Sequence, residues 1–290
     1  MVFLLPLLAL LLLTACAPAP PPETTPEATL QATLPTTLPA ETVPPETIPW
    51  QEPEEEDLVR ILDYLPGIFQ DLPYAGTENF TGQVIYDFPD AYLRYGTIKK
   101  LRRVREALGE QGYDILIWDG FRPTAAQWRL WEICPDPTYV SDPNRGYSSH
   151  SRGNTVDLTL VLADGTAVEM PTGFDDFTHY ADRNYADCPP TAAENARFLE
   201  ETMKSCGFTG YFGEWWHFTD TDSYDVAEDF TPLALEERVL TEEAALLSRP
   251  DPESPVLAWL QPGETILPRA QQGPYTQAEA QGGWGYLLLK

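Results

Sequence analysis

The chain has 290 residues, enough for one catalytic domain and an accessory module, with the apolar and charged fractions of a globular protein. Its 18 Lys and Arg against 45 Asp and Glu give a net charge of −27 at pH 7. Such a charge argues against nucleic acid and against anionic lipid surfaces as partners, because both are themselves negative.

The first 16 residues predict an export signal that ends in a lipid-attachment site. Residues 2–13 are an apolar run too short to cross a bilayer comfortably, and the run leads into Thr14, Ala15 and Cys16. This ending resembles the lipobox of bacterial lipoproteins, in which the cysteine becomes the lipidated first residue. A plain secretory signal is the alternative, since no Lys or Arg precedes the run. We expect an extracytoplasmic protein that contacts the cell membrane only through a lipid anchor on Cys16.

Residues 17–57 predict a disordered linker. They are rich in Pro, Thr and Glu and have no hydrophobic periodicity, so they cannot bury enough apolar area to offset the entropy of ordering. Their proline content favours extended conformations, which suits a tether between an anchor and a folded domain.

Folded structure is expected from residue 58 onward. The predicted elements are, in chain order, a helix at 97–111, a strand at 114–118, a helix at 124–133, a strand at 155–162, a helix at 191–206 and a strand at 215–218. Thr124 is expected to cap the second helix. Trp215 and Trp216 alternate along the last strand, so one should pack inward and the other line a site. Helices and strands mix without a regular βαβ repeat, which predicts an α+β domain.

Two segments contain residues of the kinds that bind a catalytic zinc ion. One holds His150 and Asp157, and the other holds Glu214 and His217. A catalytic zinc takes three protein ligands and leaves a fourth position to water. A nearby carboxylate can then accept the proton of that water as it attacks a polarised carbonyl. The pattern indicates a metallopeptidase, with two imidazoles and one carboxylate as ligands and a further carboxylate as base.

The wording of four segments resembles a known family, the zinc D-alanyl peptidases, and within it the VanX-type D-alanyl-D-alanine dipeptidases. The segments are residues 119–123 (DGFRP), 148–153 (SSHSRG), 174–175 (FD) and 214–217 (EWWH). They occur in the family's order. The resemblance implies the fold shared with Hedgehog signalling domains, a catalytic domain over residues 58–232, and Zn²⁺ as the cofactor.

The resemblance also implies roles for single residues. His150, Asp157 and His217 match the zinc ligands, and Glu214 matches the general base. Arg122 matches the arginine that stabilises the oxyanion of the tetrahedral intermediate. Two of these assignments have alternatives: Glu214 could orient a ligand instead, and Arg122 could simply pair with a carboxylate such as Asp119.

Asp175 and Ser148 are the expected substrate-binding residues. Asp175 matches a family residue near the free ammonium of the dipeptide, where a carboxylate would favour short substrates with a free N-terminus. Its neighbour Asp176 is nearly as good a match. Ser148 opens the segment that contains the first histidine ligand.

Residues 238–290 predict short strands separated by turns. They resemble a bacterial SH3-like domain, a small β-barrel often found on cell-wall enzymes, and such a module would bind wall peptide. The alternative is a β-rich tail that packs on the catalytic domain.

The expected function is zinc-dependent hydrolysis of D-Ala-D-Ala outside the cytoplasm, in the turnover of cell-wall peptides. Peptidoglycan-derived peptides are the wider class of expected partners. One alternative is a D,D-carboxypeptidase that trims terminal D-Ala from stem peptides, which an accessory wall-binding module would suit. Another is a non-catalytic, zinc-stabilised wall-binding domain, although such a domain needs neither Glu214 nor Arg122.

Overall fold

The computed structural model describes residues 52–289. The predicted export signal, Cys16 and residues 17–51 of the predicted linker lie outside the described residues. Within the described range, no helix is both long enough and apolar enough to cross a membrane.

The catalytic part contains four α-helices and seven strands. The helices are α1 (Ile61–Tyr64), α2 (Tyr95–Gly109), α3 (Thr124–Ile133) and α4 (Pro190–Ser205). The strands are β1 (Leu58–Arg60), β2 (Phe69–Gln70), β3 (Tyr92–Arg94), β4 (Tyr113–Asp119), β5 (Thr155–Leu162), β6 (Phe208–Tyr211) and β7 (Glu214–Asp220). Short 3-10 turns lie at Pro73–Ala75, Ser149–Arg152 and His179–Ala181.

A five-stranded sheet in the order β2-β4-β5-β7-β6 carries the catalytic part. Strands β4, β5, β7 and β6 pair antiparallel, and β2 pairs parallel with β4. The central strand β5 is buried along nearly its whole length, as β-branched strands covered on both faces are. Helices α2 and α4 pack on this sheet and on each other.

The register of the sheet brings functional positions side by side. Asp157 on β5 lies opposite His217 on β7, and Asp119 at the end of β4 lies opposite Asp157. Residues directly opposite one another on neighbouring strands point to the same face. One row across three strands therefore carries two of the predicted ligands and the carboxylate that precedes the DGFRP turn.

The predicted elements are all present, with small differences in their bounds. Helix α2 begins at Tyr95 rather than residue 97, because the buried positions already start there. Thr124 is the first residue of α3 and not its cap; the cap position is Pro123, and no side chain caps this helix. Trp215 and Trp216 are both about fully buried, at 1% exposed each, so neither lines the site. Strand β7 is covered on both faces, which the alternation rule does not anticipate.

Seven further strands form the C-terminal part. They are β8 (Phe230–Pro232), β9 (Arg238–Val239), β10 (Ala244–Leu247), β11 (Val256–Leu260), β12 (Thr265–Gln272), β13 (Tyr275–Ala280) and β14 (Gly283–Leu287). Their order is β11-β10-β14-β13-β12-β8, with β9 also paired to β12. This is an open sheet, so the barrel-like shape expected from the sequence is wrong for the described residues: β8 and β11 end the sheet and do not pair with each other.

The C-terminal sheet packs directly on the catalytic part. The Tyr92 hydroxyl donates to the Arg269 carbonyl at 2.8 Å, and the ring of Phe230 meets the rings of Tyr92 and Phe121 at 5.9 and 5.5 Å. These aromatic residues share a buried cluster with Ala270 of β12. The described residues belong to one compact unit that spans residues 45–290. The domain limits drawn from the sequence at 58–232 and 238–290 stay predictions.

Candidate active site

The three predicted zinc ligands come together at the edge of the row described above. His150 lies on the 3-10 turn, Asp157 on β5 and His217 on β7, and one ligand atom of each lies within 4.8 Å of the others. Nε2 of His150 is 3.3 Å from Oδ2 of Asp157, and Nδ1 of His217 is 3.0 Å from Oδ1 of Asp157. Among the described residues, this is the one group of three or more His, Cys, Asp or Glu side chains with such spacing.

The turn that carries His150 is fixed by its neighbours. Gly153 ends the turn with φ +76, and a Cβ there would lie 2.4 Å from Cδ2 of Leu58. Glycine meets both demands, because it adopts positive φ freely and needs no room for a side chain. Nδ1 of His150 lies 2.8 Å from the Gly120 carbonyl, so the tautomer protonated at Nδ1 donates there and leaves Nε2 towards the site.

The donor set fits zinc. Oδ1 of Asp157 is buried and accepts no hydrogen bond from any described residue, although His217 Nδ1 lies beside it. Burial alone would raise the pKa of Asp157, but the charges of His150 and His217 and their hydrogen bonds outweigh it and hold that pKa well below its usual range. A carboxylate anion with two imidazoles is a ligand set that zinc takes in catalytic sites. His150, Asp157 and His217 would hold the ion.

Glu214 stands beside this group without belonging to it. It is the first residue of β7, and its Oε2 lies 3.6 Å from Nδ1 of His217. Its side chain is half-buried and reaches the same cavity as the ligands. Enclosure by protein, followed by the charge of Asp157, raises the pKa of Glu214 above its usual range. A carboxylate with a raised pKa is a stronger general base.

Arg122 lines the cavity and is held by Asp119. Its Nη2 donates to Oδ2 of Asp119 at 2.7 Å, and its Nη1 donates to Oε1 of Gln127 at 3.1 Å. Asp119 is fully buried and also accepts from the Tyr86 hydroxyl at 2.7 Å. Burial opposes the charge of Arg122, but Asp119 outweighs it and raises the pKa of the guanidinium, which stays a cation. The structure thus contains both the pairing with Asp119 and the placement of Arg122 at the cavity.

Asp175 faces the same cavity from the loop after β5. Its backbone has φ +55, an uncommon conformation for a residue with a side chain, and its Oδ2 accepts from the Tyr74 hydroxyl at 2.8 Å. Enclosure by protein raises the pKa of Asp175 to about 7, although the bond from Tyr74 opposes this. Asp176, the competing match, accepts from the backbone N–H of Thr178 and shapes the loop.

Ser148 also lines the cavity, and its Oγ accepts from the backbone N–H of His150 at 3.4 Å. Tyr74 is the residue that sequence reasoning missed. It donates to Asp175, and its ring lies under the guanidinium of Arg122 at 5.4 Å. Tyr74 belongs to a short 3-10 turn far from every motif in the chain, so the sequence holds no local signal for it.

Comparison with known proteins agrees with this geometry. A family model described as D-Ala-D-Ala dipeptidase matches residues 54–235. The chain belongs to this family. The D-alanyl-D-alanine dipeptidase of Escherichia coli (strain K12) is 36% identical over 162 residues, which cover 56% of this chain and 83% of that protein. The D-alanyl-D-alanine dipeptidase of Streptomyces coelicolor is 34% identical over 187 residues, which cover 56% of this chain and 91% of that protein.

One solved structure is also similar: the vancomycin resistance D,D-pentapeptidase VanY in complex with Zn(II). It is 18% identical, with a TM-score of 0.31, and the match covers 47% of this chain and 80% of that chain.

Family membership confirms several expectations from the sequence. The chain is a zinc-dependent D-Ala-D-Ala dipeptidase with the α+β fold of that family. The match ends at residue 235, so strands β9 to β14 lie beyond the dipeptidase model.

Proposed function

We propose that this dipeptidase acts outside the cytoplasm, on D-Ala-D-Ala released during the turnover of cell-wall peptides, while anchored to the membrane through Cys16. The apolar run at residues 2–13 and the cysteine after it support this location. An exported enzyme cannot reach a cytoplasmic pool of dipeptide, so wall turnover or scavenging suits this location better than resistance to glycopeptide antibiotics does.

The site can hydrolyse a peptide bond with the groups described. Bound zinc polarises the scissile carbonyl and makes water a better nucleophile at neutral pH. Glu214 accepts the proton of the attacking water and then passes it to the leaving amine. Arg122, fixed by Asp119, faces the negative charge that develops on the carbonyl oxygen; fixed cations of this kind are among the largest contributions to catalysis.

The observation that carries the preference for a free dipeptide is the enclosed carboxyl of Asp175. A free ammonium group would pair with its charge. In a longer peptide the same position is a neutral amide, and the carboxylate would remain enclosed and unpaired, which is costly. The site therefore favours D-Ala-D-Ala over D-Ala-D-Ala-terminated stem peptides.

Release of D-alanine by the full chain tests this specificity. D-Ala-D-Ala and a pentapeptide ending in D-Ala-D-Ala are supplied in parallel, with added zinc and after treatment with a chelator. Turnover of the dipeptide alone, lost on chelation and restored by zinc, is the expected result. Faster turnover of the pentapeptide would make the enzyme a D,D-carboxypeptidase instead.

Location has its own test. Cells that express the chain with Cys16 or with Cys16→Ser are labelled with a fatty-acid analogue and fractionated. Label and membrane retention are expected only with Cys16. Equal soluble recovery of both would favour a plain secretory signal.

Wall binding by the C-terminal strands is part of the same proposal. The exposed Trp259 and Val256 on edge strand β11 offer a surface for it. Co-sedimentation with purified peptidoglycan, compared between the chain and Trp259→Ala, would test this.

A further inference from the structure

The guanidinium of Arg183 lies beneath the hairpin that carries Glu214 and His217. Arg183 follows the 3-10 turn His179–Ala181 and precedes α4, in a loop outside every catalytic motif of the chain. Its side chain is only 6% exposed. Burying a cation in this way is costly unless its charge and its N–H groups are matched.

Arg183 makes three hydrogen bonds to the hairpin formed by β6 and β7. Its Nε donates to the Tyr211 carbonyl at 2.8 Å, and its Nη2 donates to the His217 carbonyl at 2.8 Å. Its own backbone N–H donates to the Phe212 carbonyl at 2.9 Å. Glu214 lies between these attachment points. One residue thus fastens the segment that carries the general base on one side and a metal ligand on the other.

The sheet itself cannot do this at the turn. The pairing of β6 with β7 shifts register between Gly210 and Tyr211, so the regular ladder is interrupted before the turn that leads to Glu214. Such a bulge leaves backbone groups without their usual cross-strand partners. The bonds from Arg183 to the Tyr211 and Phe212 carbonyls begin where the ladder is interrupted.

The hairpin is shaped to receive the guanidinium. Gly210 and Phe218 are direct partners across the two strands, and the guanidinium lies over this pair. The ring of Phe218 is 4.5 Å from Cζ of Arg183, within the range of a cation–π contact. A Cβ on Gly210 would lie 2.3 Å from the same carbon, so any other residue there would displace the arginine.

Helix α4 matches the charge from the other side. Oε2 of Glu200 lies 3.2 Å from Nη1 of Arg183 and accepts from the Tyr185 hydroxyl at 2.9 Å. Arg183 therefore spans two elements: a carboxylate on α4 and two carbonyls on the catalytic hairpin. The planar fork of a guanidinium can satisfy these acceptors together, whereas the ammonium of lysine cannot.

We propose that Arg183 is a positioning residue for catalysis: it fixes Glu214 and His217 through the carbonyls of Tyr211 and His217, with Glu200 holding it in place. It does not touch the cavity. Its removal is therefore expected to lower kcat while leaving KM for D-Ala-D-Ala nearly unchanged. The inference rests on dipeptide hydrolysis as the reaction, so the unchanged chain is assayed in the same experiment.

The test compares Arg183→Lys and Glu200→Gln with the unchanged chain. Arg197→Met is the matched control, because Arg197 is an exposed arginine nearby that contacts only the ring of Tyr185. Each zinc-loaded protein is assayed for kcat and KM. Each is also loaded with Co²⁺, whose absorption spectrum reports the geometry around His217 without any turnover.

We expect kcat to fall at least tenfold in Arg183→Lys and less in Glu200→Gln, with KM within about twofold and a changed Co²⁺ spectrum. The Arg197→Met protein should match the unchanged chain. A lower melting temperature with normal kcat per bound zinc and a normal spectrum would overturn the proposal and leave Arg183 with a purely structural role. Absence of turnover by the unchanged chain would instead count against the dipeptidase function.

Discussion

Three carboxyl groups share the catalytic cavity, and their surroundings give them different protonation behaviour. Asp157 lies between two imidazoles, which hold its pKa low, so it is an anionic ligand. Glu214 and Asp175 lack such a partner, and enclosure by protein raises the pKa of each. Separation of pKa values among neighbouring acids is how one site assigns the parts of ligand, base and binding group.

Glu214→Gln should abolish most of the activity without loss of zinc. The amide keeps the size of the side chain but cannot accept a proton, and loss of a general base typically costs about 10²- to 10⁴-fold in rate. The measurement is kcat together with bound zinc per chain, and Glu201→Gln on the exposed side of α4 is the control. A Glu214→Gln protein with near-normal kcat would contradict the mechanism.

Asp175 should give the reaction a pH dependence that appears in KM. Its pKa of about 7 means that the carboxyl is neutral below that pH and an anion above it. Only the anion pairs with the ammonium of the substrate, so KM should rise as pH falls from about 8 to about 6. Profiles of KM against pH are compared for the unchanged chain and Asp175→Asn. Persistence of the same acid limb in Asp175→Asn would assign it to another group.

At this scale the sequence predicts the residues whose chemistry is written in short motifs, and it fails for residues that act across distance. His150 and Asp157 stand in one segment, and Glu214 and His217 in another. Tyr74 reaches Asp175 over 101 positions of sequence, and Arg183 reaches the His217 carbonyl over 34. Tertiary packing alone creates these pairs, so no local pattern announces them.

Among the secondary-structure elements, the turn before β5 has the least tolerance for change. Gly153 has φ +76 and no room for a Cβ beside Leu58 and Arg94, while the backbone carbonyl of Gly153 accepts from the N–H of Arg94 at 2.8 Å. The turn therefore ties the first histidine ligand to β3. Any shift in this turn moves His150 relative to Asp157.

Gly153→Ala should lower both stability and zinc affinity. Positive φ costs an alanine roughly 1–2 kcal/mol, and the close contact with Leu58 adds to this. Gly109→Ala at the end of α2 is the control, because nothing lies within 4 Å of a Cβ there and alanine favours helix. Denaturant unfolding and a zinc competition assay measure the two effects. Equal stability of both variants would show that the turn relaxes freely.

The elements themselves were predictable because their apolar periodicity is strong. Strand β5 is found at the predicted residues, and helices α2 and α4 differ from prediction by one or two residues. The environment of each element was less predictable. Trp215 and Trp216 alternate in the sequence as a half-exposed strand would, yet both are buried because loops cover the second face of β7.

At the scale of the whole molecule, the C-terminal sheet is a continuation of the catalytic part. The ring of Phe230 packs on Phe121, the residue before Arg122, and the backbone N–H of Ala227 donates to the Ser151 carbonyl at 3.0 Å, next to His150. The segment that enters the C-terminal sheet therefore contacts both catalytic turns. Repeated strand signals predicted the strands, but their open order depends on long-range pairing that periodicity does not encode.

Phe230→Ala should destabilise the whole protein in a single transition. Phe230 is 2% exposed, and truncating a buried phenylalanine to alanine typically costs about 3–5 kcal/mol. Trp259→Ala is the control, since Trp259 is 59% exposed and surface changes usually stay within about 0.5 kcal/mol. Unfolding is followed by near-UV circular dichroism and by dipeptidase activity. Separate transitions for the two signals would show that the C-terminal sheet unfolds independently.

The pairing of β8 with β12 has a consequence for anyone who shortens this chain to the part its relatives share. The dipeptidase match stops at residue 235, which keeps Phe230–Pro232 but removes the strand that pairs with it. The cut would leave a bare strand edge beside newly exposed aromatic rings, and such edges are templates for pairing with other chains. The minimal enzyme drawn from similarity alone would form aggregates, and the soluble unit has to extend to the end of the sheet.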